Sequence, residues 1–159
     1  MGARLRLGLA LAGLVFVLDR LSKVYLIELL AEARRGIEVL PFFNLVQVWN
    51  RGVSFGLLAS HEDWAPYLLA GFAAAVSVAL IVWLARAENA IVAAALGLVI
   101  GGALSNALDR LLYGAVADFF DFHALGWHWP AFNVADMAVV GGVGGLLGDS
   151  LFRPREGTK

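Results

Sequence analysis

The chain has 159 residues, 60% of them apolar and only 16% charged, where soluble domains carry roughly 25% charged residues. A water-soluble fold of this size would leave much of that apolar surface wet, so the balance points to lipid as the solvent and to one membrane domain over residues 1–159. A net charge of -1 argues against nucleic acid as a partner, and with no cysteine there is no disulfide framework, thiolate nucleophile or cysteine metal site.

A helix that crosses a bilayer needs about 20 mainly apolar residues, and its backbone must be satisfied within the segment. Four stretches meet that length, at about residues 5–30, 66–85, 90–112 and 132–152. The predicted fold is an all-α polytopic membrane protein, a bundle of four transmembrane helices. In the first stretch, Arg4 and Arg6 precede an apolar run, and Ala31-Glu32-Ala33 resembles a cleavage site for a secretory leader. The site lies far past the short run, and Asp19, Arg20 and Lys23 intervene, so a retained helix is expected. The segment from Ile37 to Val48 is rich in β-favouring residues. It predicts a small β-rich element on the extracytoplasmic face. Pro66 suits the first turn of the second helix. Gly97 with Gly101, Gly141 with Gly145 and Gly144 with Gly148 are each four apart, which predicts close packing of the third and fourth helices.

Orientation follows from the basic residues. Arg4 and Arg6, then Arg86, then Arg153, Arg155 and Lys159 fall on one side of four alternating spans. That side is expected to be the cytoplasm, with both termini there. The loops at about 31–65 and 113–131 then face outward, although the first of them carries Arg34, Arg35 and Arg51.

Charges inside a membrane span cost about 2.5–3.5 kcal/mol each on insertion scales and invite explanation. Asp19 and Lys23 are four apart and share a helical face, as a structural ion pair would require. Asn106 and Arg110 are four apart as well, with Asp109 beside them, at the outer end of the third span. Asn133 and Asp136 open the fourth span, where the positive helix terminus favours an anion. Asp118 and Asp136 therefore flank one short outer loop. Two carboxylates brought together do not both ionise easily; one holds a proton while the other stays charged, as a general acid–base pair needs. Ordinary interfacial carboxylates such as Asp121 and Asp149 remain the competing explanation.

Four motifs occur in order. Leu18 to Lys23 reads Leu-Asp-Arg-Leu-Ser-Lys. Phe43 to Gly56 reads Phe-Asn-Leu-Val-Gln-Val-Trp-Asn-Arg-Gly-Val-Ser-Phe-Gly. Gly101 to Arg110 reads Gly-Gly-Ala-Leu-Ser-Asn-Ala-Leu-Asp-Arg and runs on to Val-Ala-Asp-Phe at Val116 to Phe119. Phe132 to Asp136 reads Phe-Asn-Val-Ala-Asp. Together they resemble lipoprotein signal peptidase, or signal peptidase II, over about residues 18–147. The resemblance implies that Asp118 and Asp136 are catalytic aspartates. It implies that Asn50, Asn106, Arg110 and Asn133 line the site and hold substrate, and that Asp19, Lys23, Gly52 and Asp109 support the architecture. It further implies cleavage of bacterial prolipoproteins just before a diacylglyceryl-modified cysteine, in the inner membrane, with the active site near the outer face. The implied partners are those precursors, membrane lipids and the inhibitor globomycin. No metal or organic cofactor is expected, and a monomer is. Ser105 stands where the family usually has glycine, Ser54 where it has alanine, and Met137 where a small or polar residue is usual.

Other chemistries fit less well. Gly52-Val53-Ser54-Phe55-Gly56 matches the Gly-x-Ser-x-Gly pattern of a nucleophile elbow, with His61, His123 and His128 as conceivable bases, but no strand of a soluble α/β sheet precedes it. His123 and His128 lack an evident third zinc ligand. A small transporter using intramembrane carboxylates would be expected to show broken helices or inverted repeats.

Overall fold

A computed structural model describes residues 1–33, 36–52 and 64–152. The elements run α1 (Ala3–Glu32), β1 (Ile37–Leu40), β2 (Phe43–Asn50), α2 (Ala65–Ala85), α3 (Ala90–Tyr113), β3 (Val116–Ala124), β4 (Trp127–His128) and α4 (Val134–Phe152). The predicted Ser54 elbow, His61 and the basic residues Arg34, Arg35, Arg153, Arg155 and Lys159 lie outside the described residues.

Among the described residues, α2, α3 and α4 are long and apolar enough to cross a membrane. α1 is longer still, at 30 residues, but Asp19, Arg20 and Lys23 interrupt its apolar run. The surfaces agree with a lipid solvent. Tyr67, Leu68, Phe72 and Val78 of α2 are exposed, as are Val140, Leu147 and Leu151 of α4. Only Ala135 and Gly142 of α4 are buried. A chain in water would not leave such faces bare.

α3 is the central helix and packs against α1, α2 and α4. Its ends are well specified. The Asn89 side chain at its start accepts from Val92 N–H at 2.8 Å. Gly114 closes it in the left-handed conformation, φ 70°, and donates back to Arg110 O. The glycines do something other than the spacing predicts. Gly97 and Gly101 face α1, where an added Cβ would strike the Gly8 and Ala12 carbonyl oxygens. The α3–α4 seam is made instead by Gly102, against Ala135, and Gly142, against Ala95. Gly145 meets Ala95 more loosely, while Gly141, Gly144 and Gly148 face open space. The reason is angular: residues 101 and 102 are 100° apart on a helix, so one glycine serves each neighbour.

The β-rich element is larger than the first loop alone predicts. Four antiparallel strands lie in the order β1-β2-β3-β4. The longest, β3, comes from the second loop and has nine residues. Its inner face, Ala117 and Phe119, packs on Leu26 and Leu30 of α1. Its outer face carries Asp118, Phe120 and Phe122 by strand alternation; Phe122 stacks on Phe132, Phe120 meets Phe132 edge-on, and both contact the tilted ring of Phe43. The β3–β4 hairpin turns at Leu125 and Gly126, φ 52° and 82°, the two positive dihedrals of a type I′ turn.

Gly97→Ala and Gly102→Ala should each cost about 1–3 kcal/mol, because the methyl meets backbone that cannot rotate away. Gly141→Ala, with no atom within 4 Å, should be neutral or stabilise by up to about 1 kcal/mol. Thermal unfolding midpoints in detergent micelles would separate the two classes.

Candidate active site

Two ridges of α3 organise the site. Gly97, Gly101, Ser105 and Asp109 follow one another every four residues on the side of α1. Gly102, Asn106 and Arg110 follow the same spacing toward α4 and the sheet.

On the α1 side, Lys23 is fully buried. Its ammonium lies 2.7 Å from Asp19 Oδ2 and 2.7 Å from Asp109 Oδ2. It also donates to Asn106 Oδ1 at 2.9 Å. Arg20 pairs with the other oxygen of Asp109. Asp19 takes two further donors: the Ser105 hydroxyl at 2.6 Å and the Ala135 backbone N–H at 2.8 Å. The ion pair predicted between Asp19 and Lys23 is therefore present but shared. Asp109 turns away from its neighbour Arg110 toward Arg20, Lys23 and the Ala117 N–H. This cluster of two anions and two cations ties α1, α3, β3 and α4 together.

On the other side, α4 opens with a reciprocal cap. The Asn133 side-chain oxygen accepts from Asp136 N–H at 2.9 Å, and the Asp136 carboxylate accepts from Asn133 N–H at 3.2 Å. The Asn133 amide nitrogen meanwhile donates to Asp118 Oδ1 at 2.7 Å and approaches Ala117 O and Asn106 Oδ1 at 3.2 and 3.3 Å. One asparagine thus bridges the two carboxylates. Asn106 Nδ2 donates to Asp136 Oδ1 at 2.8 Å. Asn50, at the end of β2, donates to Asp118 Oδ2 at 3.2 Å and accepts from Gly52 N–H. Register sets this contact: Asn50 pairs with Val116, so Asp118 is its diagonal neighbour on the same face.

Asp118 is 2% exposed. Burial first, and the nearby Asp136 carboxylate second, push its carboxyl up to about 7, against the amide donors of Asn50 and Asn133 and the charge of Lys23. A group with that value holds its proton at mildly acidic pH and gives it up near neutrality.

Arg110 reaches over the pair. It donates from Nη1 to Asn106 O at 3.1 Å and from Nη2 to Gly52 O at 2.9 Å, while its Nε is buried with no partner among the described residues. The ten residues to which the resemblance assigns roles lie together here. Sequence reasoning named Ser105 and Arg20 but gave neither a role in the site. Ser105 could have been found, since it shares a ridge with Asp109 and faces the helix that carries Asp19. Farther out on the sheet, Asp121 accepts from Asn44 and bonds His128 Nδ1 at 2.9 Å. His123 stacks on His128 at 4.9 Å. Among the described residues no three histidine, aspartate or glutamate side chains are grouped to hold a metal ion. Phe42, Phe122, His123, Trp127, Trp129 and Phe132 line an open apolar cavity of about 380 Å³ at this end of the sheet.

A family model described as signal peptidase (SPase) II matches residues 11–152. A lipoprotein signal peptidase of Methylobacterium sp. (strain 4-46) is 47% identical over 153 residues, covering 95% of this chain and 92% of that protein. One from Methylocella silvestris is 44% identical, covering 94% and 88%. Two solved bacterial membrane enzymes superpose with TM-scores of 0.76 and 0.75 at 26% identity, over 96% and 92% of this chain and 94% and 93% of theirs.

Ser105→Ala removes a buried hydroxyl from a buried carboxylate and should lower stability by about 1–2 kcal/mol. Denaturant titration in mixed micelles would show the loss; an unchanged midpoint would mean that the hydroxyl contributes nothing to Asp19.

Proposed function

Because the chain belongs to the signal peptidase II family, and so is a membrane peptidase that removes signal peptides from prolipoproteins, we propose that Asp118 and Asp136 are the aspartic dyad that hydrolyses the peptide bond. The single observation that carries this assignment is the bridge through Asn133, which bonds both carboxylates and holds them at one point. Asp118 lies in a buried position that favours a proton. Asp136 accepts from two donors, Asn106 Nδ2 and Asn133 N–H, at the positive end of α4. Asp136 then takes a proton from water as the water oxygen attacks the scissile carbonyl carbon. Asp118 donates its proton to the carbonyl oxygen. On collapse of the tetrahedral intermediate the C–N bond breaks, the proton on Asp136 passes to the leaving nitrogen, and a hydroxyl proton of the intermediate returns to Asp118 as the new carbonyl forms. The two carboxylates act as one coupled unit.

The remaining residues take the roles that the family resemblance implies. Asn50, Asn106 and Asn133 aim the carboxylates and line the site, and Arg110 holds substrate from above. Asp19, Lys23, Gly52 and Asp109 support the frame. The substrate is a prolipoprotein whose cysteine carries diacylglycerol, cut just before that cysteine, with membrane lipid as its surroundings and globomycin as an inhibitor of the site. α1 is a fourth span, its charges neutralised inside the bundle, within a single domain over 1–159. The chain works as a monomer in the bacterial inner membrane, with both termini cytoplasmic and the dyad near the outer face. Acyl chains stay in the bilayer, since each buried methylene is worth about 0.8 kcal/mol, so the precursor approaches laterally at headgroup depth. The exposed Trp127 and Trp129 suit that depth.

Asp118→Asn and Asp136→Asn should each lower cleavage of a lipid-modified precursor by at least roughly 10²–10⁴-fold while the protein still inserts. Near-normal turnover in either would overturn the mechanism. The wild-type rate should fall as pH rises through about 7, where Asp118 loses the proton it donates. Arg110→Lys should cut precursor processing sharply, because an ammonium lacks the planar fork that spans two acceptors; a normal rate would remove Arg110 from substrate holding.

A further inference from the structure

We propose that Lys23 is a positioning residue for the cleavage reaction: it holds the Asn106 amide oxygen, so that Asn106 Nδ2 is fixed on Asp136 and Asp136 is kept as the hydrogen-bond-accepting, anionic member of the pair. This rests on the aspartic assignment above and assigns a lysine to it.

An ammonium can only donate, and it has three protons. Lys23 places them on Asp19 Oδ2, Asp109 Oδ2 and Asn106 Oδ1. The first two contacts suffice for a structural role. With Arg20 on Asp109, the cluster already holds two anions and two cations. The third contact adds no charge balance; what it does is set the direction of an amide. A carboxamide reads almost the same with its oxygen and nitrogen exchanged, and only a partner of fixed polarity decides between the two. With its oxygen on an ammonium, Asn106 must present N–H groups to Asp136 Oδ1, 2.8 Å away. The other Asp136 oxygen faces a backbone N–H, which cannot reverse either. A proton on Asp136 would therefore compete with a fixed donor at either oxygen.

Asp118 is held differently. Its two amide donors, Asn50 and Asn133, are themselves oriented by neutral backbone N–H groups of Gly52 and Asp136. Among the described residues, Asp136 alone of the pair is joined through a single amide to a buried cation, and a cation polarises the N–H groups at the far end of that amide. Among the described residues, the charged groups that act on the pair are Asp19 and Lys23 from α1 and Arg110 from α3, with Asp109 beside Arg110.

The test is the pH profile of kcat for the full chain in bilayers, with a diacylglyceryl-modified precursor. Lys23→Met combined with Asp19→Asn removes one buried charge of each sign and leaves Asp109 paired with Arg20. Asn106→Leu keeps Lys23 on its carboxylates and removes the amide between Lys23 and Asp136, together with the 3.3 Å approach of Asn133 Nδ2. Both should lower kcat by tenfold or more with KM within about threefold, and both should move the acid limb upward by one pH unit or more. Lys23→Arg keeps charge and donors and should hold the acid limb in place even where the rate falls. If the double variant does not fold, Asn106→Leu decides alone. A wild-type acid limb in Asn106→Leu, with loss only of stability or of KM, would overturn the proposal and leave Lys23 a structural cation. Asp118→Asn and Asp136→Asn run alongside separate the two failures: active aspartate variants sink the dyad itself, whereas inactive ones with an unmoved limb sink only the role of Lys23.

Discussion

Lys23 sits in the middle of the bundle with no surface exposed, touching two carboxylates and one amide oxygen. An uncompensated ion at such a place costs several kcal/mol even after relaxation. The surrounding structure is arranged to avoid that cost. Asp19 comes from the same helix one turn away, Asp109 from α3, and Asp19 is in turn capped by the first-turn N–H of Ala135 in α4. Satisfying one ammonium thus sets the separation and the axial register of three helices. The glycine contacts at Gly97, Gly101 and Gly102 allow the helices to come close enough for these short side chains to meet. Removing either carboxylate would leave a buried charge, so the polar cluster and the tight packing stand or fall together.

From that frame the carboxylate pair follows by short steps. Asp109 holds the Ala117 N–H and so anchors the strand beside Asp118. Asp19 holds the start of α4, where Asn133 and Asp136 cap one another. Asn133 then closes the gap between strand and helix. The sheet supplies the last partner, because the β2–β3 register puts Asn50 diagonal to Asp118. Residues far apart in the chain meet because each is fixed to a backbone group of a regular element, with little left to loop conformation.

Much of this was legible in the sequence. Apolar runs of membrane length located α2, α3 and α4, and the polar interruptions marked the residues that meet at the site. The spacing of Asp19 and Lys23 announced a pair. Its third member was hidden, because Asp109 adjoins Arg110 in sequence and the obvious local pairing is not the one made. Which helix a glycine faces was hidden too, since a spacing of four defines a ridge without saying what lies against it. Strand β3 escaped notice because Val116 to Ala124 has no regular apolar–polar alternation, and its acids, Asp118 and Asp121, looked like loop carboxylates. They are tolerated there because Asn50 and Asn133 meet the first and Asn44 and His128 the second. An amide's direction is not written in the chain at all; it emerges only when a donor of fixed polarity lies against it.

The ion cluster also bears on how such a chain is made. Synthesis delivers α1 first, and with it Asp19, Arg20 and Lys23, while Asp109 is still some eighty residues from emerging. Until then Lys23 has one carboxylate and Arg20 has none from α3. Insertion scales put about 2.5–3.5 kcal/mol on each such charge at the centre of a lone helix. On the proposed reading of α1 as a fourth span, the nascent helix is a poor membrane segment by itself and becomes a good one only beside α3. Its settled depth is a late event, conditional on a partner translated afterwards. Misassembly would leave the same three charges as a recognisable flaw, a helix that the membrane holds weakly and that quality-control proteases can extract.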